Sequence, residues 1–375
     1  MKETVLIISN VTNGLFLFRR ELIERLVQVY DVEILAGDTG SVDNLRNMGC
    51  KVTLTDMELH GTNPIKELQL LSCYKKQIKT IRPKIVLTYT IKPNVYGGMA
   101  CASLKVPYVA NITGLGTAVE QKSPMQRPML FLLKRGLRKA QKVFFQNAEN
   151  RDFLLKHHVI HGEYELIPGS GVNLKRFSLL DYPNGETVDF VFISRIMKEK
   201  GIDQYLDAAE YIRKKYPNTR FHVCGGAEEA YTKRLNELTE QGIIEYHGKI
   251  SDVAGMHRIS SCTIHPTFYP EGMSNVLLES CACGRPIITT DRPGCREIVE
   301  DGVNGFVVKQ QDSQDLIEKI EKFLGLSWEE RKQMGLKGRL KVEREFDRNI
   351  VVNKYLREIS RAGLQESIQK QENKD

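Results

Sequence analysis

Short, apolar, β-branched runs alternate with helical periodicities along almost the whole chain, and the alternation breaks and restarts once, near residue 170. The first series of runs is VLIIS (5–9), VEILA (32–36), KVTLT (51–55), KIVLTYT (84–90), YVANI (108–112) and KVFFQ (142–146). The second is VDFVFIS (188–194), RFHVCG (220–225), IIEYHG (243–248), CTIHP (262–266), PIITT (286–290) and GFVVK (305–309). A strand that is apolar at consecutive positions needs cover on both faces, and intervening helices supply it, so each series predicts a parallel, doubly wound α/β sheet. The 375 residues suffice for two such domains, each with its own core. The expected architecture is two Rossmann-like domains, 1–170 and 171–349, followed by a terminal helix over about 350–363 and a frayed polar tail, 364–375.

Several classes are set aside by composition. The eight cysteines are scattered, and Cys281 and Cys283 have a C-x-C spacing that is neither a zinc nor a redox motif, so reduced core thiols in a reducing compartment are expected. The opening MKETVLIIS reads as a strand, not a signal peptide, and no run of 18 uncharged apolar residues occurs. A cytoplasmic protein is the expectation.

Ligand-binding residues are sought at the carboxyl ends of the strands, where open α/β sheets bind. After the first strand, Gly14 in SNVTNGLF lets backbone approach a ligand, although a plain turn glycine explains it equally. In the second series, SRIMKEKGID places Arg195 and Lys200 in a strand-to-helix loop. An arginine fork and a lysine point charge suit a diphosphate, and solvated loop cations are the bland alternative. Further on, PEGMSNVLLE carries Glu271 and Glu279 around Gly272, Met273, Ser274 and Asn275, where a helix begins. Free N–H groups there attract phosphate, and two flanking carboxylates accept hydroxyls. Phosphate in the middle and hydroxyls at both ends describe a nucleotide sugar.

These motifs together resemble the retaining glycosyltransferases of family 4. The resemblance rests on FISRIMKEKG (192–201), HVCGG (222–226), YHGKISD (246–252), PEGMSNVLLE (270–279) and GRPIITTDRPGCREIVEDGVNGF (284–306). It implies the GT-B fold, two Rossmann-like doubly wound domains facing across a cleft, with the terminal helix returning to the first. A narrower similarity, in TIKPNVYGGMACASLKVPYVANITGLG (90–116), is to bacterial enzymes that extend undecaprenyl-diphosphate-linked glycans for surface polysaccharide or protein glycosylation. By resemblance, Arg195 and Lys200 neutralise the departing nucleoside diphosphate, Glu271 orients the donor sugar and Glu279 accepts from the ribose. Backbone at Met273, Ser274 and Asn275 holds phosphate with Gly14 approaching it, while Lys249, Ile250, Gly225 and Gly226 border the base. Many members carry a first-domain histidine where this chain reads Ile112-Thr113-Gly114, so Thr113 and Gly114 are the substitute acceptor contacts. Lys92 is a candidate for an acceptor diphosphate, or an ordinary loop lysine.

The implied reaction takes a hexose or N-acetylhexosamine from a UDP-sugar to a lipid-linked saccharide. No protein nucleophile is marked, and no Asp-x-Asp lies at a strand end, so no metal and no cofactor are expected. A UDP-sugar epimerase of the same fold and a non-catalytic nucleotide-sugar-binding subunit are the competing readings.

The net charge of +7 is concentrated in residues 121–142, where Lys122, Arg127, Lys134, Arg135, Arg138, Lys139 and Lys142 occur without an acid. With Leu130, Leu133 and Leu137 at helical spacing, this segment reads as a basic amphipathic helix for an anionic membrane face. Peripheral attachment to the inner face of the cytoplasmic membrane follows. A core helix with a solvated basic face is the alternative, and nucleic acid is not expected because no aromatic stacking array accompanies the charge.

Overall fold

The computed structural model describes residues 2–55, 63–116, 119, 124–270 and 272–372, the last ten of these as backbone alone. The chain divides into two compact units, Met1–Ser170 with Asn349–Asp375, and Gly171–Arg348.

The first unit holds seven parallel strands: β1 (Thr4–Val11), β2 (Asp31–Gly37), β3 (Lys51–Leu54), β4 (Ile85–Tyr89), β5 (Tyr108–Ile112), β6 (Lys142–Phe145) and β7 (Tyr164–Leu166). Their spatial order is β3-β2-β1-β4-β5-β6-β7. The order reverses between β1 and β4, where β1 Ile7 lies beside Leu87. Val5, Leu6, Ile7 and Ile8 are all fully buried, as expected of a central strand covered on both faces. Helix Pro64–Ile81 begins at Asn63, whose side chain accepts from the Ile65 N–H.

The second unit holds β8 (Val188–Ile193), β9 (Thr219–Cys224), β10 (Glu245–Tyr246), β11 (Cys262–His265), β12 (Ile287–Thr290) and β13 (Gly305–Val308), all parallel, in the order β10-β9-β8-β11-β12-β13. Its reversal lies between β8 and β11. Phe190, Phe192, Phe221, Phe306 and Phe323 fill one side of the sheet.

The chain ends in two helices, Trp328–Glu345 and Arg348–Glu372. Between them the chain pairs with Val172: the Val172 N–H donates to the Phe346 carbonyl at 2.8 Å, and the Arg348 N–H returns to Val172 at 3.0 Å. A Cβ on Gly171 would sit 2.5 Å from Arg348 Cα, so glycine is required where the two ends of this unit meet. Past this break, Val351, Val352, Tyr355 and Ile359 enter the core of the first unit. The helical backbone then continues to Glu372 where fraying was expected. LQESIQKQE contains neither Gly nor Pro and consists largely of helix formers.

Candidate functional site

Each sheet brings candidate residues to its own reversal point, the position at which adjacent crossovers leave on opposite faces and open a crevice at the carboxyl edge. In the second unit the flanking loops are those after β8 and β11.

The β8 loop runs from Ser194 through Arg195 to a 3-10 turn, Lys198–Lys200, and Gly201, at φ +79°, starts helix Ile202–Lys215. The loop after β11 is stitched to it. Thr267 Oγ1 donates to the Glu199 carbonyl at 3.2 Å, and the Phe268 N–H donates to the same oxygen at 2.9 Å. This stitching carries Tyr269 under both predicted cations. Lys200 Nζ lies 4.4 Å and Arg195 Cζ 5.7 Å from the centre of its ring. Lys200 is buried and Arg195 exposed, so one charge is desolvated while the other reaches solvent. An aromatic face holds such cations by about 0.5–2 kcal/mol each. That contact fixes both cations at this edge.

The neighbouring loops close around glycines. Gly225, at φ +146°, donates its N–H to the Gly248 carbonyl at 2.7 Å, and Ile196 donates to the Gly226 carbonyl at 2.9 Å. The stem of Lys249 lies across Gly226, where a Cβ would meet Lys249 Cε at 2.6 Å. Lys249 is exposed and Ile250 half-buried. The structure therefore brings Gly225, Gly226, Lys249 and Ile250 together.

Helix Asn275–Ala282 starts after Gly272, Met273 and Ser274, all buried. The Ser274 N–H donates to the Gly294 carbonyl at 2.8 Å, and its side chain makes no capping bond. First-turn N–H groups have no intrahelical acceptor, so this end favours an anion. Glu271 lies outside the described residues. Glu279 is half-buried within the helix, and burial pushes its pKa up to about 7 against the lowering influence of Arg348 and Arg176.

A carboxyl whose pKa is raised by folding makes the ligand-free protein lose stability as pH climbs from about 4.5 to about 7, with a constant penalty above that. Glu279→Gln is expected to raise the thermal midpoint at pH 8 by an amount corresponding to on the order of 2 kcal/mol. The gain should shrink toward zero by pH 5. A gain independent of pH would show that Glu279 does not carry the raised pKa.

In the first unit, Gly14 is the third residue of helix Thr12–Phe18, directly after β1. Lys92 follows β4, so both lie at the reversal point. Lys92 Nζ is held by Glu67 Oε1 at 2.6 Å, so an acceptor diphosphate would compete with an existing ion pair. Thr113 and Gly114 follow β5, both half-buried, with Gly114 at φ +148°.

The basic segment corrects part of its sequence reading. Leu133 and Leu137 of helix Gln126–Leu137 are buried in the first unit's core with Val143 and Phe145, so this apolar stripe faces protein and not lipid. Lys142 belongs to β6 and is paired with Glu163 at 2.7 Å. The exposed basic residues among those described are Arg127, Arg135, Arg138 and Lys139, and Met125 and Phe131 are exposed large apolar side chains. Lys122 lies outside the described residues. Among the described residues, no helix is long and apolar enough to cross a membrane.

All eight cysteines are free and seven are buried, and burial pushes the Cys281 and Cys283 thiols up to about 12. Sequence reasoning missed Tyr269, whose position depends on hydrogen bonds to a distant carbonyl, and Arg292, whose Nε donates to the Tyr269 carbonyl at 3.3 Å.

Residues 182–341 match the family model for glycosyl transferases group 1, and residues 4–147 match that for glycosyl transferase 4-like proteins. Over 370 residues the chain is 25% identical to an N,N'-diacetylbacillosaminyl-diphospho-undecaprenol alpha-1,3-N-acetylgalactosaminyltransferase of Campylobacter jejuni, covering 93% of this chain and 96% of that protein. The Staphylococcus aureus capsular polysaccharide biosynthesis glycosyltransferase CapM is 29% identical over 163 residues, 43% of this chain and 42% of that protein. Among solved structures, Anabaena HepE in complex with UDP and glucose superposes with a TM-score of 0.77 at 17% identity, covering 96% and 99% of the two chains. Sucrose-phosphate synthase from Thermosynechococcus elongatus gives 0.75 at 19% identity, covering 95% and 98%. The fold is GT-B.

Proposed function

The chain belongs to the glycosyltransferases whose group 1 and 4-like models it matches, and on that premise we propose that it transfers a hexose or N-acetylhexosamine from a UDP-sugar to an undecaprenyl-diphosphate-linked saccharide. The observation that carries the donor assignment is the convergence of Arg195 and Lys200 on Tyr269 at the second unit's reversal point. The UDP complex of HepE and the lipid-linked acceptor in the name of the Campylobacter relative support the two substrates.

As the glycosidic bond breaks, negative charge grows on the β-phosphate. Lys200 and Arg195 stabilise that charge, and the first-turn N–H groups of helix Asn275–Ala282 add a fixed dipole. Glu279 accepts from the ribose hydroxyls, and Glu271 orients the sugar. The acceptor hydroxyl attacks from the face the diphosphate leaves, and a donor phosphate oxygen takes its proton, so configuration is retained without a protein nucleophile. Resident cations take the place of a metal in neutralising the diphosphate.

The acceptor side belongs to the first unit, with Gly14, Thr113 and Gly114 at its carboxyl edge and Lys92 exchanging Glu67 for an acceptor phosphate. Arg127, Arg135, Arg138 and Lys139 hold the enzyme peripherally on the inner face of the cytoplasmic membrane, each contributing about 1 kcal/mol near an anionic surface. Replacing these four with glutamine is expected to weaken binding to phosphatidylglycerol vesicles at least about tenfold. Unchanged binding would remove the membrane assignment.

Screening UDP-sugars with and without a diphospho-undecaprenol saccharide tests the reaction. UDP release in proportion to added acceptor is the expected outcome. Interconversion of the sugar without acceptor would identify an epimerase, and binding without turnover a non-catalytic subunit.

A further inference from the structure

A second polar cluster lies on the face of β8–β10 opposite the phenylalanine core. Strand alternation sends Phe190, Phe221 and Val223 into that core and leaves Asp189, Arg220 and His222 on the other side. Register places Glu245 of β10 beside His222, and His247 follows two residues later.

His222 is 2% exposed and uses both ring nitrogens. Nε2 lies 2.9 Å from Asp189 Oδ1, which is also paired with Arg220 Nε at 2.7 Å. An aspartate ion-paired to arginine is an acceptor, so His222 donates its Nε2–H to it, and in the neutral ring Nδ1 carries the lone pair. That nitrogen lies 3.1 Å from His247 Nε2 and 3.3 Å from Glu245 Oε2. Among the described residues, these three side chains form the group whose ligand atoms all lie within 4.8 Å of one another. A carboxylate oxygen facing that nitrogen calls for a proton or a metal ion between them. Around tetrahedral zinc, with bonds of about 2.0–2.1 Å, adjacent ligand atoms are about 3.3–3.4 Å apart. The contacts to His222 have nearly that spacing.

We propose that His222, His247 and Glu245 bind one Zn2+, with water as the fourth ligand and Asp189 orienting His222 from behind. A carboxylate on the far nitrogen of a ligating histidine fixes its tautomer and raises its basicity. Glu245 and His247 are exposed, which makes the ion exchangeable. Its effect is to fasten β10, a two-residue strand at the sheet edge, to β9. His247 directly precedes Gly248, Lys249 and Ile250, so the ion also steadies the loop assigned above to the base. It takes no part in glycosyl transfer.

Calorimetric titration of ZnCl2 into the chelator-stripped full chain tests this without reference to activity. One equivalent should bind. His247→Ala, at an exposed position, should weaken binding at least about tenfold, and Asp189→Asn about 10–100-fold. Mg2+ should not compete, since imidazole ligands suit zinc and not magnesium. Co2+ in place of zinc should give the visible absorption of a tetrahedral site, lost in Glu245→Gln with the circular dichroism unchanged. Zinc bound equally well by wild type and His247→Ala would locate it on other ligands, such as the cysteines, and overturn the proposal. Failure to bind a full equivalent would do the same.

Discussion

Replacing Lys200 with alanine is expected to lower kcat by about two to three orders of magnitude, with the chain still folded. The expectation follows from where the ammonium sits. It is buried against the Tyr269 ring, so it is largely desolvated and held in place before the donor arrives. Charge stabilisation of this kind acts on the transition state more than on the bound donor, so KM should move far less than kcat. The helix start does not depend on the side chain, because Gly201 supplies the left-handed turn and its N–H donates to the Lys198 carbonyl at 2.9 Å. Unchanged circular dichroism would confirm that the loss is chemical. Retention of full activity by Lys200→Ala would place diphosphate stabilisation elsewhere. Glu271→Ala is expected to lose transfer on a similar scale.

The second large effect concerns the scaffold of the same edge. Gly225→Ala is expected to destabilise the second unit by about 4 kcal/mol or more. Its φ of +146° is a conformation that residues with a Cβ rarely adopt, and an added Cβ would lie 1.6 Å from the Ser194 carbonyl oxygen. That carbonyl belongs to the end of β8, whose Ser194 N–H donates to Cys224, so the only relief is to separate β8 from β9 beside the crevice. Gly242→Ala is the matched control. It also has positive φ, at +69°, yet an added Cβ meets nothing within 4 Å, so about 1–2 kcal/mol of backbone strain is expected. Urea unfolding midpoints of the two variants separate steric exclusion from backbone conformation. Equal losses would mean that the β8–β9 approach is not tight.

The sheets were legible because their central strands are apolar at consecutive positions, as in Val5–Ile8 and Phe190–Ile193. β7, with the sequence Tyr164-Glu165-Leu166, was not, since an edge strand of three residues leaves no such run. Arg195, Lys200 and the start of helix Asn275–Ala282 could be located because loops after parallel strands share one edge, whereas Gly225 and Gly226 come from the family resemblance. The meaning of Leu133 and Leu137 could not be read, since helical spacing is the same whether the covered surface is protein or lipid. Lys142 reads as the start of its strand and also as one of the membrane-facing charges, because a charge run does not reveal that one member is paired with Glu163. Tyr269 and the His222, Glu245 and His247 group depend on register and loop stitching, which no local pattern encodes.

Hydrogen–deuterium exchange of the protein with and without saturating UDP tests the central claim most directly, because free amides at the start of helix Asn275–Ala282 should become protected when phosphate binds there. The account predicts slowed exchange at Asn275–Leu277 together with the loops 194–200, 225–226 and 247–250. Slowed exchange confined to other segments, or none at saturating UDP, would contradict a donor site at the second unit's reversal point.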